Sequence, residues 1–314
     1  MVERKVIRLA LQLGRTQAEE VVDFRVRALR QRTKALAKRR VAPPEDAVPR
    51  VTVPKALAAA SGSSGVLVAE GDSWFDYPWT DVLRLLEDQH GYDVESVAHK
   101  GDRVEEMAYS GGQLEEFSRR LEKLLRNRTI PKAVLLSGGG NDVAGTEFSM
   151  LLNHAASAVA GLNEQVVAGV IDQRIRLAYV TILAAITHIC QKWLQRPLPI
   201  LLHGYDYPIP DGRGFLGGWW FLPGPWLEPG FREKGFQDLD VRKAIAKELI
   251  DRFNRMLSDV ASLPQLAHVT YVDLRGTLSS GPTYKQFWDN ELHPTVKGFE
   301  MVTDRFVEAL DLVS

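Results

Sequence analysis

Cysteine is almost missing from this chain: Cys190 is the only one in 314 residues. That excludes an intrachain disulfide and any metal centre built on clustered cysteines, and it favours a reducing compartment. Long hydrophobic runs are scarce as well. The longest, Leu177 to Cys190, spans 14 residues and contains His188 and the hydroxyl-bearing Tyr179, Thr181 and Thr187. It is too short to cross a bilayer and suits a buried helix. A secretory leader is not expected, because Glu3, Arg4, Lys5 and Arg8 precede only a short apolar stretch. The expected location is the cytoplasm, with no transmembrane segment.

What is present fits a soluble globular protein with an ample core: 45% of residues are hydrophobic and 25% charged. The charge is uneven. Residues 1–55 hold 14 Lys or Arg against 6 Asp or Glu, while the remainder holds 25 against 34. Such a basic arm suits an anionic partner or the acidic body of its own chain. Phe24 is its only aromatic residue, too little for a nucleic-acid stacking surface, so no specific nucleic acid is expected. Val6, Leu9, Leu13, Val21, Phe24 and Leu29 recur near helical spacing, with Gly14 a candidate break. The division expected is a basic helical extension and linker over 1–60, closed by a Pro-rich stretch and a Ser/Gly hinge, then one domain over 61–314.

From Val66 onward, short runs rich in Val, Ile and Leu alternate with longer helical stretches. Strands are predicted at Val66–Glu70, Asp93–Ala98, Ala133–Ser137, Ile200–Gly204 and Val269–Asp273. Helices are predicted at Asp81–His90, Val104–Arg126, Val170–Gln195, Val241–Leu263 and Val296–Leu312. Continuous apolar strands separated by helices indicate an α/β fold: a five-stranded parallel sheet covered on both faces, a three-layer α/β/α sandwich. Ligands bind such sheets beyond the carboxyl ends of the strands.

Those ends carry Gly71-Asp72-Ser73-Trp74, His99-Lys100-Gly101, Gly138-Gly139-Gly140-Asn141-Asp142 and Tyr205-Asp206, and Asp289-Asn290-Glu291-Leu292-His293-Pro294 opens the last helix. A serine hydroxyl needs a base to take its proton, and acyl transfer needs donors for an oxyanion. Ser73 offers a hydroxyl and a backbone N–H, Gly101 a second N–H, Asn141 a side-chain N–H, and His293 a base. Taken singly, Gly71-Asp72-Ser73 is a common turn, Gly101 a turn glycine and Asn141 a helix cap. Four blocks in this order, each beyond a predicted strand, point instead to one site. Together they resemble the SGNH hydrolases, or GDSL-type esterases, over about 65–314. The resemblance implies a flavodoxin-like fold, Ser-His ester chemistry without a cofactor, and an ester substrate of small-molecule, lipid or carbohydrate type.

One departure stands out. The resemblance implies an Asp three residues before the histidine, and here that position is Asn290, with Asp289 at −4 and Glu291 at −2. An amide oxygen can orient an imidazole as a carboxylate does. Asn290, Asp289, Glu291 or a backbone carbonyl therefore remain open as the acceptor, with Asn290 favoured and Asp289 second, and a Ser-His dyad without a third member stays open too. His203 reads as a buried polar residue. The aromatic, Gly- and Pro-rich insertion near 205–236 reads equally as a self-packed loop or an apolar binding wall. The function expected is a serine ester hydrolase; a carbohydrate O-deacetylase with the same machinery and a non-catalytic binding module with a decayed triad are the alternatives.

Overall fold

The computed structural model describes residues 2–39, 63–110, 112–217 and 223–313. The Pro-rich stretch, most of the Ser/Gly hinge and the residues Trp219, Trp220 and Phe221 of the aromatic insertion lie outside these ranges. The expected boundary at 60/61 lies outside them too.

Five parallel strands form the central sheet: β1 (Val66–Glu70), β2 (Asp93–Ser96), β3 (Ala133–Leu136), β4 (Ile200–His203) and β5 (Val269–Val272). Their order is β2-β1-β3-β4-β5. Leu67 pairs with Ala133, Val134 with Ile200, and Ile200 with Val269. All five were predicted, most of them a residue or two too long. The central strands β3 and β4 are buried at every position, as helices on both faces require. Helices α2 (Val82–Asp88) and α7 (Val296–Leu312) pack together, while α3 (Val104–Tyr109), α4 (Gln113–Arg126) and α6 (Leu239–Ala261) gather around α5 (Arg176–Leu194). Right-handed crossovers place these two groups on opposite faces of the sheet.

Three helix expectations are corrected. The stretch 104–126 is two helices, because Gly112 takes φ +126°, a backbone state no helix continues through. The run 170–195 is continuous, but its first part belongs to a π-helical segment, Ala168–Ile175. The N-terminal helix α1 (Val2–Arg39) runs through Gly14 rather than breaking there.

Gly14 instead permits close approach. A Cβ built on it would lie 2.2 Å from the carbonyl oxygen of Thr181 in α5. The buried face of α1 is the line Ala10, Leu11, Gly14, Ala18 and Val22, whereas Leu9, Leu13 and Phe24 stay exposed. Covered by α1 outside and the sheet inside, α5 is apolar on nearly all sides, which accounts for the longest hydrophobic run in the chain. The ion pairs seen between these helices use acidic residues of α1, Glu3 with Arg176 and Asp23 with Lys192, and Glu19 lies 3.7 Å from His188 Nε2. Gly14→Ala is expected to destabilise the protein by roughly 1–3 kcal/mol through overpacking, outweighing a helix-propensity gain of at most about 1 kcal/mol. A denaturation midpoint that rises in this variant would show that α1 does not sit in this contact. Among the described residues no helix is long and apolar enough to cross a membrane.

Candidate active site

The turn after β1 is pinned from below. Gly71 has no room for a side chain, since a Cβ there would meet Ser137 Cβ at 2.7 Å. Asp72 is 2% exposed, and its Oδ1 accepts from the Trp74 N–H at 3.1 Å and the Ser137 hydroxyl at 2.8 Å. Its Oδ2 accepts from the Tyr205 hydroxyl, which itself accepts from the Gly140 N–H. One carboxylate therefore ties the ends of β1, β3 and β4 together, and Ser73 stands on the turn it fixes.

His293 arrives from the loop before α7, whose first turn is capped by Thr295. Its Nε2 lies 2.8 Å from Ser73 Oγ and its Nδ1 lies 3.0 Å from Asn290 Oδ1. The same Oδ1 accepts from the backbone N–H groups of Leu292 and His293, each at 3.0 Å. Two fixed donors at that atom require it to be oxygen, so Nδ1 must carry the proton and Nε2 is free to accept from Ser73. The amide Nδ2 donates to the Tyr77 hydroxyl at 2.9 Å and to Asp289 Oδ2 at 3.2 Å, and Tyr77 also donates to Asp289 at 3.0 Å. The Tyr77 ring stacks on the imidazole, with centroids 4.4 Å apart and planes 20° from parallel. Burial holds the His293 pKa down to about 3.

The two carboxylates beside Asn290 have other duties. Asp289 contacts Asn290 rather than the imidazole. Glu291 is fully buried facing the insertion, where it accepts from the N–H groups of Gly212, Trp226, Leu227 and Glu228. His203 is buried with Nδ1 3.0 Å from the Gly204 carbonyl oxygen. Asp142 accepts from the N–H groups of Val104 and Glu105 at the start of α3.

Gly101 follows β2 at φ +92°, and Asn141 lies on the helical turn Gly140–Val143, entered through Gly139 at φ +99°. Asn141 Nδ2 donates to the Asp102 carbonyl at 2.9 Å, which ties it to the loop of Gly101 and leaves its second N–H unspent. Both residues line a cleft of about 430 Å³ with Ser73, Tyr77, Phe215, Trp226 and His293. A second, narrower cavity of about 60 Å³ opens on Ser73, Asn141 and His293 from the protein interior. The described part of the insertion thus supplies a cleft wall, and Trp79 stacks on Phe215 at its rim. Among the described residues no group of three His, Cys, Asp or Glu side chains is placed to hold a metal ion.

Sequence reasoning placed Tyr205 on the working edge but missed Tyr77, the bond of Tyr205 to Asp72 and the staple role of Asp72. It also missed Glu70, which lies behind the Gly101 loop. Its carboxyl accepts from the Gly71 N–H and from Gln113, which also bonds Asp102. Burial, then repulsion from Asp102, pushes its pKa up to about 9 from an ordinary 4.5. Between these two values the folded state holds a proton that the unfolded state has released, so this group's contribution to stability falls as pH rises. Glu70→Gln is therefore expected to gain stability relative to the parent progressively from pH 5 to pH 9, read as urea midpoints. An equal change at every pH would contradict a protonated Glu70.

No curated protein matches the chain. Solved structures align over most of it at low identity. A variant of an acetylxylan esterase from Geobacillus stearothermophilus is 15% identical, with a TM-score of 0.38, over 79% of this chain and 95% of the other. A candidate SGNH hydrolase from Slackia heliotrinireducens is 11% identical, with a TM-score of 0.45, over 78% and 97%. An α/β hydrolase enzyme from the metagenome of Lake Arreo, Spain, is 13% identical, with a TM-score of 0.38, over 80% and 97%. Residues 57–301, most of the chain and all of the site just described, match the GDSL-like Lipase/Acylhydrolase family. The chain belongs to that family of ester hydrolases.

Proposed function

We propose that the protein hydrolyses carboxylic esters through an acyl-enzyme on Ser73. His293 Nε2 takes the hydroxyl proton as Oγ attacks the ester carbonyl carbon. The carbonyl oxygen becomes an oxyanion, received by the N–H groups of Ser73, Gly101 and the Asn141 side chain. The proton passes from Nε2 to the departing alkoxide, the alcohol leaves, and water repeats the sequence to free the acid. Asn290 holds the imidazole tautomer that this needs, and Asp289 and Tyr77 hold Asn290.

The observation that carries this reading is the unbroken chain from Ser73 Oγ through both nitrogens of His293 to Asn290 Oδ1, at 2.8 and 3.0 Å. A decayed site has no need to satisfy every donor and acceptor of the side chain at position 290, and here its oxygen and its amide nitrogen are both used. The stacked Tyr77 ring offers its π-face to the imidazolium that forms in the transition state. A fluorophosphonate probe tests the assignment: it should label Ser73 alone, and Ser73→Ala should abolish labelling. An adduct mapped elsewhere in a variant that still turns over esters would overturn it.

A further inference from the structure

Two cavities of different character meet at Ser73, Asn141, Leu292 and His293. The outer one is the open aromatic cleft. The inner one is the chamber of about 60 Å³, walled by Val143, Phe148, Ile171, Ala246, Leu249 and Phe253. Polar residues also face it: three have their hydrogen bonds already made, while Trp288 Nε1 and the second N–H of Asn141 remain without a partner. Asp72 is spent on Trp74, Ser137 and Tyr205, and Tyr205 on Asp72 and Gly140. Asp206 accepts from the N–H groups of Tyr207, Gly276 and Leu278. The rest of the wall is apolar and suits a hydrocarbon acyl chain.

The order of events in acyl transfer says which half of an ester belongs where. The alcohol must leave before water can enter, so its half needs an open route. The acyl half stays bonded to Ser73 through both steps and can occupy a blind pocket. Size then limits the acyl chain. A cavity of about 150 Å³ admits benzene, so about 60 Å³ holds two or three carbons beyond the carbonyl.

Resting on the ester-hydrolase reading above, we infer that the inner chamber selects short acyl groups, propionyl and butyryl, while the alcohol lies in the aromatic cleft. Ile171 and Ala246 set the chain length. Ile171 is fully buried on the π-helical segment Ala168–Ile175, and π turns often mark functional positions. Ala246 is a small wall residue on α6. Neither touches Ser73, His293 or the oxyanion donors by any hydrogen bond of its side chain, so each changes the volume of the chamber without changing the chemistry.

The test is kcat/KM for p-nitrophenyl acetate, propionate, butyrate, hexanoate and octanoate. The parent protein should peak at propionate or butyrate and fall about tenfold or more by hexanoate. Ile171→Ala should move the optimum to hexanoate, and the milder Ile171→Val should raise the hexanoate-to-butyrate ratio. Ala246→Leu should cut butyrate about tenfold and leave acetate within about threefold. A parent optimum at octanoate, a flat profile, or folded variants whose profiles superimpose on the parent would overturn the chamber assignment. Fluorophosphonate labelling separates the two levels: a protein labelled at Ser73 that hydrolyses all chain lengths equally sinks only the acyl chamber. One that neither labels nor turns over any ester takes both readings down.

Discussion

Ser73→Ala is expected to lower kcat/KM for a short-chain ester by about 10⁴-fold or more, with thermal stability nearly unchanged. Removing a serine nucleophile alone costs subtilisin about 10⁶ in kcat, and what survives over water comes from the oxyanion donors and binding. The proposed donors are backbone and amide groups that this substitution leaves in place: the N–H groups of residue 73 and Gly101, and the Asn141 side chain. The turn should also survive. The hydrogen bond seen for the Ser73 side chain is to His293, whereas the turn is held by the neighbouring Asp72 through Trp74, Ser137 and Tyr205. Rate and stability should thus separate cleanly. A variant that keeps a tenth of the parental rate with the same substrate preference would remove Ser73 from the chemistry. Equal losses of rate and melting temperature would make it a structural residue.

The sheet was legible because each strand is a short apolar run between helices, which only a sheet covered on both faces rewards. The position of the site was legible for the same reason: reactive residues stood one after another beyond predicted strand ends. What failed to show was whatever depends on packing. Ala10, Gly14 and Ala18 carry little hydropathy, so the larger Leu9, Leu13 and Phe24 drew the eye to the exposed side of α1. Tyr205 and Tyr77 look like core aromatics in a linear chain. Their hydroxyls matter only because folding brings Asp72, Gly140, Asn290 and Asp289 to them. Spacing put Asp289 ahead of Glu291 as a substitute for Asn290 but did not show what either carboxylate does. In the fold one supports the amide of Asn290, while the other turns away to bond four backbone N–H groups of the insertion. Nothing in the sequence marked the chamber behind Ser73, because its walls come from separate segments that each read as ordinary core.

His293→Ala is expected to cost about 10⁴-fold or more in kcat/KM, and the substitutions around it should show how a base works without a carboxylate three residues before it. In serine proteases, Asp-to-Asn replacement costs about 10⁴-fold because the wrong imidazole tautomer is favoured. That penalty is absent here, since backbone N–H groups of Leu292 and His293 force the amide oxygen toward Nδ1. Asn290→Ala removes the acceptor but leaves the Tyr77 stack, so a loss of about 10- to 100-fold is expected, within the range that acid–base assistance supplies. Asn290→Asp alone should bring no gain. The new carboxylate would sit where Nδ2 now donates to Asp289 at 3.2 Å, and two carboxylates at that distance disfavour each other's charge. The exchange Asp289→Asn with Asn290→Asp keeps one charge and one donor in the pair, and should recover activity that Asn290→Asp loses. The pH profile distinguishes the arrangements. With the His293 pKa near 3, the parent should keep its kcat/KM down to about pH 5, because the base is protonated only well below that. In the exchanged pair a carboxylate on Nδ1 favours imidazolium, and the acid limb should move up toward neutral pH. If Asn290→Asp alone raises turnover tenfold, Asp289 has no part in setting the amide. If the parent profile already breaks near pH 6.5, His293 is not the buried, neutral base that its surroundings describe.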